Sequence, residues 1–208
     1  MSSGLFDAPD ATPERRELDR YYTADPVAAA LVQLLHLPAG ARVVEPSVGG
    51  GAWVRALHRH GPDNVHITGV DLDPDARGLQ GCDDAVVGVD WTDPSLDDRT
   101  WDWSIGNPPY QDAEAHIRAS LRRCHNVVAL LRLAFLETAS RVPFWLQYPP
   151  RKVWVLAERP SFTGGGTDSA AYGLFWWRRQ VVAPSSTLGV VSWRSGAPVD
   201  VFRAAWVR

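Results

Sequence analysis

Among the residues able to do chemistry in this chain, Asn107-Pro108-Pro109-Tyr110 is the most informative group. It follows Trp101–Ile105, a short run that reads as a strand, with Gly106 between them. The two prolines fix φ and remove two backbone donors, so the carbonyls around them have no ladder to join. Asn107 adds a side-chain carbonyl and Tyr110 a flat aromatic face. A planar amino group could donate one proton to Asn107 and one to the Pro108 carbonyl while its ring stacks on Tyr110. Such an amine is a poor nucleophile because its lone pair is conjugated. Two acceptors pulling on its protons favour a pyramidal nitrogen, and an electron-rich ring tolerates the positive charge that builds as it attacks.

The elements needed to position this corner are legible on either side of it. Tyr22-Thr23-Ala24-Asp25-Pro26 leads into Val27–Leu37, where apolar residues recur at helical spacing. Thr23 or Asp25 is the expected N-cap, with Pro26 at the first helical position. Arg42–Glu45 reads as a buried strand, Pro46-Ser47-Val48-Gly49-Gly50-Gly51 as a glycine-rich turn, and Ala52–His60 as a helix. Strand, glycine turn and helix together form a nucleotide-cofactor signature, although Val54 stands where a dinucleotide motif would have its third glycine. His66–Asp71 is a second strand, and its Asp71 lies 20 positions after Gly51, where an acid grips ribose hydroxyls. Asp73 is expected to cap a helix begun by Pro74. Ala85–Val89 is a third strand with Asp90-Trp91 at its end; Asp93, Asp97 and Asp98 read as solvated loop acids. The Asn-Pro-Pro-Tyr corner ends the fourth strand, so all these groups fall at the carboxyl edge of a parallel sheet, where open α/β sheets bind ligands.

The Asn-Pro-Pro-Tyr turn, the Glu45-Pro46 version of the glycine turn, the Tyr-Thr segment and an Arg159-Pro160-Ser161-Phe162 loop together resemble the S-adenosylmethionine-dependent amino-methyltransferases. The likeness covers roughly residues 20–180 and is greatest to bacterial and phage-type DNA adenine-N6 methyltransferases. It implies a Rossmann-like class I methyltransferase fold, α/β, with a seven-stranded, mostly parallel sheet and helices on both faces. It further implies that Tyr22, Thr23, Glu45, Pro46, Gly49, Gly51, Asp71, Leu72, Asp90, Trp91 and Asn107 bind S-adenosylmethionine. In that scheme Leu72 flanks the cofactor's adenine, Asp90 accepts its amino group and Trp91 packs beside the ring. Asn107, Pro108, Pro109 and Tyr110 would be catalytic. Phe162, with Tyr172 second, would stack on a flipped base opposite Tyr110, and Arg159 would bind substrate. The expected reaction transfers a methyl group to N6 of adenine in DNA. No metal is needed, because the leaving group is a neutral thioether. The same core would also serve an RNA adenine or guanine methyltransferase, a protein glutamine N5-methyltransferase or a non-catalytic nucleic-acid-binding scaffold.

Downstream, Ala113–Arg123 reads as a helix with Arg118, Arg122 and Arg123 near one face. Asn126–Arg132 is a fifth strand, Phe135–Gln147 a helix broken near Pro143, Lys152–Ala157 and Tyr172–Arg178 the sixth and seventh strands, and Leu188–Arg194 and Val199–Val207 a terminal strand pair. Residues 1–20 are expected to form a flexible arm, and residues 21–208 one methyltransferase domain without a separate target-recognition module. Only 15 residues separate Tyr110 from Asn126, so recognition should be short or relaxed, or supplied by a specificity partner or a homodimer.

Composition narrows the class. A hydrophobic fraction of 45% and a charged fraction of 22% describe a globular chain. No apolar run reaches membrane-spanning length, and no basic-then-apolar leader opens the sequence. The two cysteines, Cys82 and Cys124, stand in no metal-like spacing and are expected as reduced thiols in a cytoplasmic protein of bacterial or phage origin. The net charge of −3 conceals an asymmetry: residues 1–104 carry 18 acidic and 8 basic side chains, residues 105–208 carry 6 and 13. Nearly all the basic residues are arginine, Lys152 being the sole lysine, and arginine forks match phosphates, which suits a polyanionic substrate; the resemblance implies that this partner is nucleic acid, DNA in the first place.

Overall fold

The computed structural model describes residues 22–160, 169–179, 185–195 and 198–205. The expected N-terminal arm and Phe162 lie outside the described residues. Nine strands form one sheet: β1 (Arg42–Glu45), β2 (His66–Asp71), β3 (Asp84–Val87), β4 (Trp101–Gly106), β5 (Cys124–Arg132), β6 (Lys152–Leu156), β7 (Tyr172–Arg178), β8 (Ser185–Val191) and β9 (Pro198–Ala205). Their order is β3-β2-β1-β4-β5-β7-β6-β8-β9. Strands β1 to β5 are mutually parallel, and β7 runs antiparallel between β5 and β6. The seven expected strands are present. The terminal pair extends the sheet, because β8 adds parallel to β6 and β9 closes the edge antiparallel to β8.

Side-chain alternation distributes the core over both faces. Tyr172 and Leu174 of β7 and Val128 and Leu130 of β5 join one cluster, while Phe175, Trp177, Val127, Ala129 and Leu131 join the other. The first cluster is covered by α1 (Asp25–Leu35) and α2 (Ala52–His60), which bury Val27, Leu31, Trp53 and Leu57. The second is covered by α3 (Ala113–Arg123) and α4 (Val142–Gln147) through Ile117, Leu121 and Phe144.

Three local expectations change. The Phe135–Gln147 helix is two 3₁₀ turns, Leu133–Leu136 and Ala139–Arg141, followed by α4. Pro143 lies in the first turn of α4, where its missing N–H costs nothing; inside a longer helix it would break an i to i−4 bond. Asp73 caps no helix. Its Oδ1 accepts from the Asp75 backbone N–H, and the chain continues into a 3₁₀ turn, Arg77–Gly81. At α1, Ala24 is the N-cap with no side-chain bond, and Pro26 sits in the first turn. Asp25 instead pairs with Arg55 of α2, and this bond holds its carboxyl below the usual range.

Candidate active site

At the carboxyl edge of β1 the chain must turn sharply from strand to helix, and glycine makes this possible. Gly49 and Gly51 adopt φ of 48° and 75°, the left-handed region that side-chain-bearing residues avoid. The loop is gripped from three sides. Asp71, at the end of β2, accepts the Gly49 N–H through Oδ2 at 2.8 Å, and its Oδ1 accepts the Asp73 N–H at 2.9 Å. Gly78 donates its N–H to the Gly49 carbonyl at 2.9 Å. Here the backbones pack so closely that a Cβ on Gly51 would lie 2.5 Å from Gly78 Cα. Arg55 donates to the Gly50 carbonyl at 2.6 Å while bound to Asp25. The Tyr22 ring lies over the loop, 2.8 Å from where a Gly49 Cβ would stand.

Behind this loop Glu45 is 1% exposed. Burial first, and then the Asp71 charge, push its carboxyl well above the usual range. Thr23 is also buried, and its Oγ1 has no partner among the described residues.

One strand over, β4 delivers Asn107-Pro108-Pro109-Tyr110, and Asp112 N–H closes the turn onto the Pro109 carbonyl at 3.1 Å before α3 begins. Tyr110 is largely buried, and burial raises the pKa of its hydroxyl while the neighbouring Asn107 side chain acts in the opposite direction. The Arg132 guanidinium, at the end of β5, stands 4.6 Å from the centroid of the Tyr110 ring and donates to the Tyr172 hydroxyl at 3.3 Å. Tyr172 itself is wholly buried, with its ring centroid 6.1 Å from that of Tyr110. It is a support beneath Tyr110 rather than an accessible stacking plate.

After β3, Asp90 Oδ1 accepts both the backbone N–H and the hydroxyl of Thr92 at 2.7 Å, and these bonds hold its carboxyl below the usual range. Trp91 turns inward and is 2% exposed. Its Nε1 donates to the His116 carbonyl and to Ser120 Oγ, and the Arg123 guanidinium lies 4.7 Å from its ring. Arg123, only 1% exposed, also donates to the Trp91 and Asp93 carbonyls and pairs with Asp97 at 2.7 Å. Arg123, expected on or near one helix face with Arg118 and Arg122, is a buried clamp on the loop that follows Asp90. Asp97, expected to be simply solvated, is its ion-pair partner and also pairs with Arg122. Arg118 pairs with Glu114.

These edges enclose a cleft of about 850 Å³. It gathers Tyr22, Pro46, Gly49, Asp71, Leu72, Asp90, Trp91, Asn107, Pro108, Pro109 and Tyr110 along one wall system. Thr23, Glu45 and Gly51 are not among its lining residues. Arg159 is exposed and leads towards residues outside the described set. Sequence reasoning missed Asp112 and His116, which also line the cleft. They stand one helical turn apart, joined by the His116 N–H to Asp112 carbonyl bond, so extending the Tyr110 turn into α3 would have pointed to them.

Solved structures share this fold. A protein assigned as a class I S-adenosylmethionine-dependent methyltransferase from Listeria monocytogenes aligns with a TM-score of 0.64 and 16% identity, over 84% of this chain and 67% of its own. The methyltransferase subunit of a type I restriction-modification system from Streptococcus thermophilus gives 0.64 and 15%, over 82% of this chain and 47% of its own. This chain has the class I S-adenosylmethionine-dependent methyltransferase fold. In sequence, the methyltransferase-fold chain is 32% identical over 101 residues to the type II methyltransferase M.TthHB8I of Thermus thermophilus. That match covers 48% of this chain and 23% of the Thermus protein, so the chain spans about a quarter of that relative's length. No family model matches.

Proposed function

We propose that this chain is an S-adenosylmethionine-dependent N-methyltransferase whose substrate is the exocyclic N6 of adenine in DNA, read with short or relaxed sequence preference. One observation carries the reading: the Asn107–Tyr110 corner and the Gly49, Asp71 and Asp90 walls open onto the same cleft. The similarity to a type II methyltransferase supports a DNA substrate. The residues fit the cofactor. The cleft lies within the roughly 300–1,000 Å³ range of small-molecule sites. The glycine loop leaves a backbone-lined cradle that a Cβ at Gly49 would crowd, and the buried Thr23 hydroxyl still lacks a partner among the described residues. Asp71 would hold ribose hydroxyls, Asp90 the adenine amino group, and Leu72, which is 64% exposed at the rim, would flank the ring.

When bound, S-adenosylmethionine supplies an electrophilic methyl group on a positively charged sulfur. The protein's part is to bind and orient the amine. The Asn107 side-chain carbonyl and the Pro108 carbonyl accept its two protons, which raises electron density on nitrogen. The Tyr110 ring, held by Tyr172 and with the Arg132 guanidinium over one face, bears the target ring. Arg159 and Phe162 belong to the same proposal as groups on the substrate side. Rate comes mainly from positioning and preorganised acceptors, each of which is worth roughly 10²–10³ in turnover. With only 15 residues between Tyr110 and Asn126, sequence preference in these residues is short or relaxed, or is supplied by a partner or a second copy.

The test is transfer of tritiated methyl groups to duplex DNA, single-stranded DNA, RNA and protein, followed by nucleoside mass spectrometry. N6-methyladenine in DNA is expected, with Asn107→Ala lowering turnover by about 10²-fold or more. Label found only in RNA or protein would overturn the DNA assignment, and no cofactor binding at all would overturn the enzyme.

A further inference from the structure

His116 lines the cleft from the second turn of α3, yet no role follows for it from the corner chemistry. It is 7% exposed, and its Nδ1 is buried with no partner among the described residues. A buried ring nitrogen left in this way carries a desolvation cost that native structures seldom tolerate. Behind it lies a second, much smaller cavity of about 10 Å³, lined by Pro46, Pro108, His116, Ser104 and Ser120 among others. This is close to the space one water molecule needs, and a water there requires two or more polar partners. The hydroxyls of Ser104 and Ser120, 3.1 Å apart, and His116 Nδ1 are candidates for that role.

Asp90 and Asp112 line the same cleft as His116, and burial disfavours the charged form of the imidazole and lowers its pKa. A neutral imidazole carries one N–H, and with that proton on Nε2 the buried Nδ1 is the acceptor.

We propose that His116 reads the cofactor's purine together with Asp90, offering Nε2–H to a ring nitrogen, with its Nδ1 held from behind by one buried water in the small cavity. The pairing is complementary to a 6-aminopurine, which presents a donor amino group beside an acceptor ring nitrogen. Asp90 accepts from the first and His116 donates to the second. A 6-oxopurine reverses both positions, so that acceptor meets acceptor and donor meets donor. This inference rests on the proposed cofactor and deepens it: the adenine end of the site would be selected by an acid and a histidine acting as a pair, with Trp91 serving as core.

The test is calorimetric titration of the full chain with S-adenosylhomocysteine and with its deaminated analogue, S-inosylhomocysteine. Wild type should prefer the adenosyl compound by roughly a hundredfold, since two hydrogen bonds become mismatches. His116→Leu should weaken adenosyl binding about tenfold and cut the preference by a similar factor. His116→Gln, which keeps an N–H donor, should retain most of both. Binding stoichiometry reports the folded fraction, and His116→Phe replaces the leucine variant if that one does not fold. A general packing role would lower both affinities together and leave their ratio intact, and that result, or wild-type preference in the leucine variant, overturns the proposal. Failure of wild type to bind either compound would instead overturn the cofactor assignment.

Discussion

Replacing Arg123 with methionine keeps most of the side-chain volume but deletes a guanidinium that reaches three separate groups of the loop after β3. The guanidinium donates to the Trp91 carbonyl, which is buried, and to the Asp93 carbonyl, which is partly so, and it lies 4.7 Å from the centroid of the Trp91 ring. Each buried acceptor left without a donor costs about 1–3 kcal/mol, and loss of the desolvated cation–π contact adds to this. The Asp97 partner is solvent-exposed and is left out of the sum. A loss of about 3 kcal/mol is therefore expected, or roughly 6–12 °C in melting temperature for a chain of this size. Since the released segment carries Asp90, affinity for S-adenosylhomocysteine should fall as well. Differential scanning calorimetry and cofactor titration on wild type, Arg123→Met and Arg123→Lys measure both quantities, and the lysine variant, with its single point charge, should fall between the other two. A methionine variant that melts within about 2 °C of wild type would show that the buried guanidinium repays no more than its own desolvation cost, and the clamp argument would fail.

Gly78→Ala places a Cβ 2.3 Å from Val48 Cγ1 and 2.5 Å from Gly51 Cα, so the glycine loop must shift; cofactor affinity should drop about tenfold or more by calorimetry while the sheet still folds. Glu45→Gln should flatten the pH dependence of stability. The folded state holds the Glu45 proton to higher pH than the unfolded chain does, so wild-type stability falls as pH rises above the ordinary carboxylate range, and the advantage of the glutamine variant in urea melts should grow from pH 5 to pH 8. Cys82 and Cys124 are both pushed up to about 12 by burial, so neither should react with a disulfide-exchange reagent at neutral pH, whereas denaturant should release two thiols; rapid labelling of the folded protein would contradict their placement.

The sequence determined whatever depends on the chain's own covalent limits. Two prolines after a strand must make a stiff corner, glycines after β1 must make the left-handed turn, and alternation along β5 and β7 must divide side chains between two faces. The edge of the cleft could be drawn from these local rules, as could the succession of the first seven strands along the chain, but not their order in the sheet. What the tertiary structure decided is which side of a wall each side chain faces. Trp91 and Tyr172 sit at positions that suit ring stacking, yet α3 closes over one and Tyr110 covers the other, so both became supports. Helical spacing puts Arg123 near the face of Arg118 and Arg122, and only the packing of the loop after β3 onto α3 buries it. The terminal strand pair alternates as strands should, but only the free edge of β6 determines where it docks. His116 carries no motif, and its place on the same cleft as Asp90 follows only from the packing of α3 against the loop after β3. Local geometry is written residue by residue, whereas burial is a property of two surfaces meeting, and one of those surfaces is always distant in the chain.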